Sequence, residues 1–114
     1  MGEAVVTERR GAERVQVSID ARWEGVVAQC AGTIVDLSVT GCFILTSDLV
    51  TEDELIRLEL VTPTGGSIHL WGEVVYKLPE MGFALRFTGM AAAESEMLNL
   101  LLDYVRFNGA TVAA

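Results

Sequence analysis

Histidine occurs once, at His69, and cysteine twice, at Cys30 and Cys42, so the chain has little material for metal or redox chemistry. The cysteines stand twelve positions apart with no second pair, which matches neither a zinc spacing nor a Cys-x-x-Cys motif. Both are expected as reduced thiols in the interior. Basic residues are also scarce: 8 against 16 acids, for a net charge of −8. Such a field repels polyanions, which excludes a general nucleic-acid binder. No apolar run approaches the roughly 18 residues of a membrane span, and the opening MGEAVVTERR lacks a signal-peptide core. A cytoplasmic protein without a membrane span is therefore expected. With no Ser/His/Asp set, no metal cluster and no cofactor motif, the expectation is a protein that is not an enzyme.

What is present reads as one domain. At 114 residues, 51% hydrophobic and 21% charged, the chain is long enough to close a single core and too apolar to be disordered throughout. Its periodicity is mostly two. Val15, Val17, Ile19 and Ala21 alternate with Gln16, Ser18, Asp20 and Arg22, the pattern of a half-buried strand. Further strand-like runs fall at about Val26–Ala28, Gly32–Ser38, Gly41–Thr46, Leu55–Val61, Ser67–Lys77 and Gly82–Phe87, with TPTGGS and LPEMG as hairpin turns. Short strands so closely spaced predict an antiparallel barrel or a sandwich.

From Ala91 to Phe107 the period changes to that of a helix. At 100° per residue, Met97, Leu98, Leu100, Leu101, Leu102, Tyr104, Val105 and Phe107 cover an apolar arc of roughly 220°. Packing on a barrel needs a stripe of only about 100°. The surplus either wedges into a barrel end or reaches a second partner, for instance another copy of the chain in a homodimer.

The few bases are gathered. Arg9, Arg10 and Arg14 lie within six positions, in a lead-in whose only large apolar residues beyond Met1 are Val5 and Val6. Residues 1–13 are expected as a flexible segment carrying the first arginines, and residues 14–114 as the single domain. Twenty-two positions after Arg14 begins Asp36-Leu37-Ser38-Val39-Thr40-Gly41. Strand alternation puts Asp36 and Ser38 on one face, predicted outward, with Val35 and Leu37 in the core. Gly41 permits a sharp turn, or a close approach of the backbone to a ligand, because it has no Cβ. Farther on, Ile68, Leu70, Val74 and Tyr76 are predicted to share one face and His69, Trp71 and Glu73 the other. An outward Trp71 would offer a stacking surface, the alternative being burial beneath the helix; Arg86 alternates out of the Phe83/Leu85/Phe87 face.

Arg10-x-x-x-Arg14 followed by Asp36-x-Ser38-x-x-Gly41 resembles the signature of the PilZ family, bacterial receptors for cyclic di-GMP. The D-x-S-x-x-G stretch alone arises by chance in roughly 2% of chains this long. GEVVYKLPEMGFALRF is also similar to the family's late barrel hairpin. The resemblance implies a mainly β fold, a six-stranded antiparallel barrel with a C-terminal α-helix. It also implies a cyclic di-GMP site at Arg9, Arg10, Arg14, Asp36, Ser38 and Gly41, with Trp71 and Arg86 as additional candidates and a protein effector downstream, in motility, exopolysaccharide or biofilm control. Arg9, just ahead of the first motif, looks like a determinant of binding two stacked ligand molecules; the alternative is a solvated arginine paired with Glu8 or Glu13. The competing function is a PilZ-like protein interaction module without ligand, as in type IV pilus assembly.

Overall fold

The computed structural model describes residues 13–25 and 29–107. The run expected at Val26–Ala28, and Arg9 and Arg10 with it, lie outside the described residues. Six strands follow in order: β1 (Val15–Glu24), β2 (Gln29–Leu37), β3 (Gly41–Leu45), β4 (Leu55–Val61), β5 (Ser67–Leu78) and β6 (Gly82–Thr88). One helix, α1 (Ala92–Phe107), ends the described chain. All strand pairs are antiparallel, and the order β1-β2-β3-β6-β5-β4 closes on itself through Ala21↔Leu60, Arg22↔Glu59 and Trp23↔Leu58. Closure settles barrel against sandwich.

The core is filled from every strand by the residues that alternation turns inward. Ile34, Leu37, Ile44, Leu58, Leu60, Val74 and Phe83 are fully buried, and Trp23 meets Phe83 edge to face with ring centroids 5.3 Å apart. Register shifts occur in three of the ladders, between Gln16 and Ile19 in β1 and at two further places where they change the expected faces. A register shift between Ile34 and Asp36 turns Ile34 and Leu37 inward together, so Val35, expected in the core, is only half-buried. A second shift between Val74 and Tyr76 leaves Tyr76, expected beside Val74, about half exposed on the outer face. The hairpin Leu78–Met81 closes as the sequence suggests: Met81 N–H donates to Leu78 O at 3.0 Å, with Pro79 second and Glu80 third at φ 63°.

Helix α1 packs on β5 and β1. Glu94 sits in its first turn and accepts from Ala91 N–H at 2.8 Å, which satisfies one of the unpaired N-terminal donors, and Arg106 lies in the last turn. Only Leu98, Leu101, Leu102 and Val105 are buried. Each contributes about 1.5–3 kcal/mol by removal from water. The remainder of the wide apolar arc stays outside.

Candidate functional site

The antiparallel pairing of β1 with β2 creates the site. Val15 faces Leu37 and Gln16 faces Asp36, so the residue before the strand, Arg14, arrives beside the end of β2. Its Nη1 lies 3.4 Å from Asp36 Oδ1, with the two side chains 54% and 34% exposed. The contact is within ion-pair reach, yet Oδ1 is inaccessible to solvent and makes no hydrogen bond. A carboxylate oxygen in that state retains unused accepting capacity. The pair itself contributes only about 0–1 kcal/mol, as exposed ion pairs do, so exchanging it for other contacts costs little. Cys42 is buried in the same neighbourhood. Burial pushes its thiol well above the ordinary value, with Arg14 opposing the rise and Asp36 adding to it.

Ser38 is not outward. It is fully buried, and its Oγ accepts from Thr40 N–H at 3.1 Å and lies 3.0 Å from Thr40 Oγ1, while Ser38 N–H donates to Gly41 O at 2.9 Å. The reason is local: a serine two residues ahead of a backbone N–H folds back on the chain and builds the turn. Gly41, expected to allow a sharp turn or a close approach of backbone to a ligand, admits with its bare Cα a strand of the protein itself. A Cβ built there would stand 2.2 Å from Leu85 O on β6, so no side chain fits. Ser38 and Gly41 thus shape the turn that joins β2 to β3 beside Asp36.

Arg86 faces Gly41 across the β3–β6 pair and forms an ion pair with Glu73 on β5. Arg14, Asp36, the Ser38–Gly41 turn and Arg86 are therefore gathered along the adjacent strands β1, β2, β3 and β6. Trp71 is outward and 47% exposed, which excludes burial beneath the helix. It is not beside Asp36: β5 stands three places from β2 in either direction round the barrel, and Trp71 lines a concavity with Arg22, Arg57, Glu59 and His69. Glu59 there pairs with Arg22 at 3.1 Å and approaches His69 Nε2 at 4.0 Å.

Two features escape sequence reading. Phe43 pairs with Asp36 across β2–β3, and its ring lies 6.2 Å from that of Tyr76, the two flanking buried Ala84. Alternation within GCFIL would have exposed Phe43, whereas the bulge hid Tyr76. The other is an ion pair at 3.8 Å between Glu13, inside the R-x-x-x-R segment, and Arg106 near the end of α1. No local pattern announces a contact between opposite ends of a chain. Among the described residues no three His, Cys, Asp or Glu side chains converge to hold a metal, and no helix is long and apolar enough to cross a membrane.

No curated protein sequence matches the chain. Solved structures do. The PilZ domain of YcgR from Escherichia coli, with c-di-GMP, superposes with a TM-score of 0.73 at 14% identity, over 88% of this chain and 94% of that one. The inhibitor of motility MotI/DgrA of Bacillus subtilis gives 0.69 at 18% identity, over 88% of this chain and 52% of that one. The PilZ domain of CeSA from a cellulose-synthesizing bacterium gives 0.66 at 14% identity, over 82% and 98%. At these identities the likeness establishes the shared barrel, and the family model described as "PilZ domain" matches residues 8–106 of the sequence itself. The six-stranded barrel with its terminal helix and a sequence match over most of its length lead to one assignment: this chain belongs to the PilZ domain family.

Proposed function

We propose that the protein is a cytoplasmic receptor for cyclic di-GMP that performs no chemistry and passes the signal to a protein partner. The observation that carries the reading is the Arg14–Asp36 pair, a guanidinium beside a carboxylate whose buried oxygen has no hydrogen bond. Guanine presents N7 and O6 acceptors to a guanidinium fork and N1–H and N2–H₂ donors to a carboxylate. Arginine also grips phosphate in a bidentate manner and stacks on bases. The E. coli relative with c-di-GMP supports the same ligand here.

In this reading Arg10 and Arg14 clamp the ligand with Asp36, Ser38 and Gly41 hold the turn against which it sits, and Arg9 adds the charge needed for a second stacked molecule. Arg86 joins once the ligand displaces Glu73, and Trp71 is the outlying stacking candidate. Binding draws in the arginine segment, and the Glu13–Arg106 contact links that segment to α1, where a partner can sense the change. A homodimer through α1 is the less favoured alternative, because Glu96 and Asp103, on one edge of that helix, would face their own copies.

Calorimetric titration with cyclic di-GMP tests the receptor reading. Binding by the unmodified chain, lost or weakened at least about tenfold in Arg14→Ala and Asp36→Ala with the melting temperature kept, supports it. No heat in the unmodified chain would leave the ligand-free interaction module as the function. Amide exchange at residues 13–15 that is the same with and without ligand would dismiss the relay.

A further inference from the structure

Helix α1 carries two apolar stripes. Leu98, Leu101, Leu102 and Val105 face the barrel, while Met97, Leu100, Tyr104 and Phe107 lie on the exposed side, with Leu100 64% and Phe107 87% accessible. The outer stripe is spaced three, four and three residues apart. That is the spacing by which one helix receives another along a seam. Beside it runs a groove of about 330 Å³ between α1 and the β4–β5 connection, with Thr62, Pro63 and Ile68 on the wall opposite Met97 and Tyr104. Large contiguous apolar surface of this kind marks an interaction site.

Charge decides what fits. At 100° per residue, Glu96 and Asp103 fall together just beyond Leu100 and Phe107, so an acidic edge borders the stripe. The nearby base, Arg106, is engaged by Asp103 at 3.5 Å and by Glu13 at 3.8 Å. A two-fold antiparallel pairing of α1 with a second copy would set the acidic edge against itself, and like charges across an interface are costly. We propose that this surface is a docking groove for an amphipathic helical segment of a partner protein, whose apolar face covers Leu100 and Phe107 and whose basic flank meets Glu96 and Asp103. The site is separate from the Arg14–Asp36 pair, and the proposal stands whether or not that pair binds a nucleotide.

The probes are two synthetic helical peptides of about 18 residues. They have identical leucine spacing, one with lysine flanks and one with glutamate flanks, and each is titrated into the full chain by ¹H–¹⁵N NMR. The lysine peptide is expected to shift amides of α1 and of residues 62–68, to bind at least about tenfold more tightly than the glutamate peptide, and to weaken at least about tenfold in Leu100→Asn. Leu100 is exposed, so that variant keeps the fold. Glu96→Lys with Asp103→Lys should reverse the preference between peptides. Equal affinity for both peptides, shifts centred elsewhere, or no binding would overturn the proposal. So would a monomer–dimer equilibrium in ultracentrifugation that Leu100→Asn abolishes, since the occupant would then be a second copy.

Discussion

Replacing Gly41 by alanine distinguishes the two roles that a glycine at the end of D-x-S-x-x-G can have. If it serves ligand approach, the extra methyl blocks binding and leaves the fold intact. The structure places the methyl 2.2 Å from Leu85 O and 3.3 Å from Arg86 Cα, both backbone atoms of the paired strand. Carbon and oxygen in van der Waals contact need more than 3 Å, so β3 and β6 must part by roughly an ångström. A backbone carbonyl cannot swing aside as a flexible side chain can. Overpacking alone costs about 1–3 kcal/mol, and weakening one adjacent ladder hydrogen bond adds about 0.5–1.5. The expected loss is therefore about 1.5–4.5 kcal/mol. For a domain of this size that lowers the melting temperature by roughly 5 °C or more. Urea denaturation of Gly41→Ala and of a control, Gly66→Ala, measures it. The control methyl meets only Thr62 Oγ1 at 3.4 Å and should change stability by less than about 0.5 kcal/mol. A Gly41→Ala protein as stable as the unmodified chain would refute the reasoning and return Gly41 to a ligand role.

The buried thiol of Cys42 gives a pH prediction. Its folded pKa is raised above the ordinary 9.0, so the unfolded state releases that proton first, and stability should fall as pH rises above about 9. The slope approaches about 1.4 kcal/mol per pH unit from this group, and Cys42→Ala should remove it in denaturation curves at pH 8, 9 and 10. Arg9 gives a stoichiometric one: the unmodified chain should titrate with two cyclic di-GMP molecules and Arg9→Leu with nearer one, with a shallower salt dependence. A ratio of one in the unmodified chain would remove Arg9 from the site and keep the single-ligand receptor.

Much of the architecture was legible because its signals are local. β4 runs Leu55–Val61 as the alternation indicates, β3 and β6 differ from expectation by one residue, and the helix begins one residue late at Ala92. Those elements are written in period-two and helical patterns and in turn residues, which act over a few positions. The nearness of Arg14 to Asp36 was implied by the resemblance to the PilZ signature, and the structure places the two side chains 3.4 Å apart. Whether the strands closed into a barrel was not legible from alternation alone; that depends on β1 meeting β4, some 40 positions away. The faces of Val35 and Tyr76 were misread because a bulge inserts one residue and reverses inside and outside beyond it, and bulges are set by the partner strand. Ser38 and Gly41 carry the same lesson. The sequence by itself determined that a serine and a glycine stand at the junction of two strand-like runs, where β2 ends and β3 begins. Only the tertiary structure decided that the glycine makes room for Leu85 O, because a strand brought from more than 40 positions away supplies the atom that forbids a side chain, whereas the inward serine hydroxyl is held by its own turn.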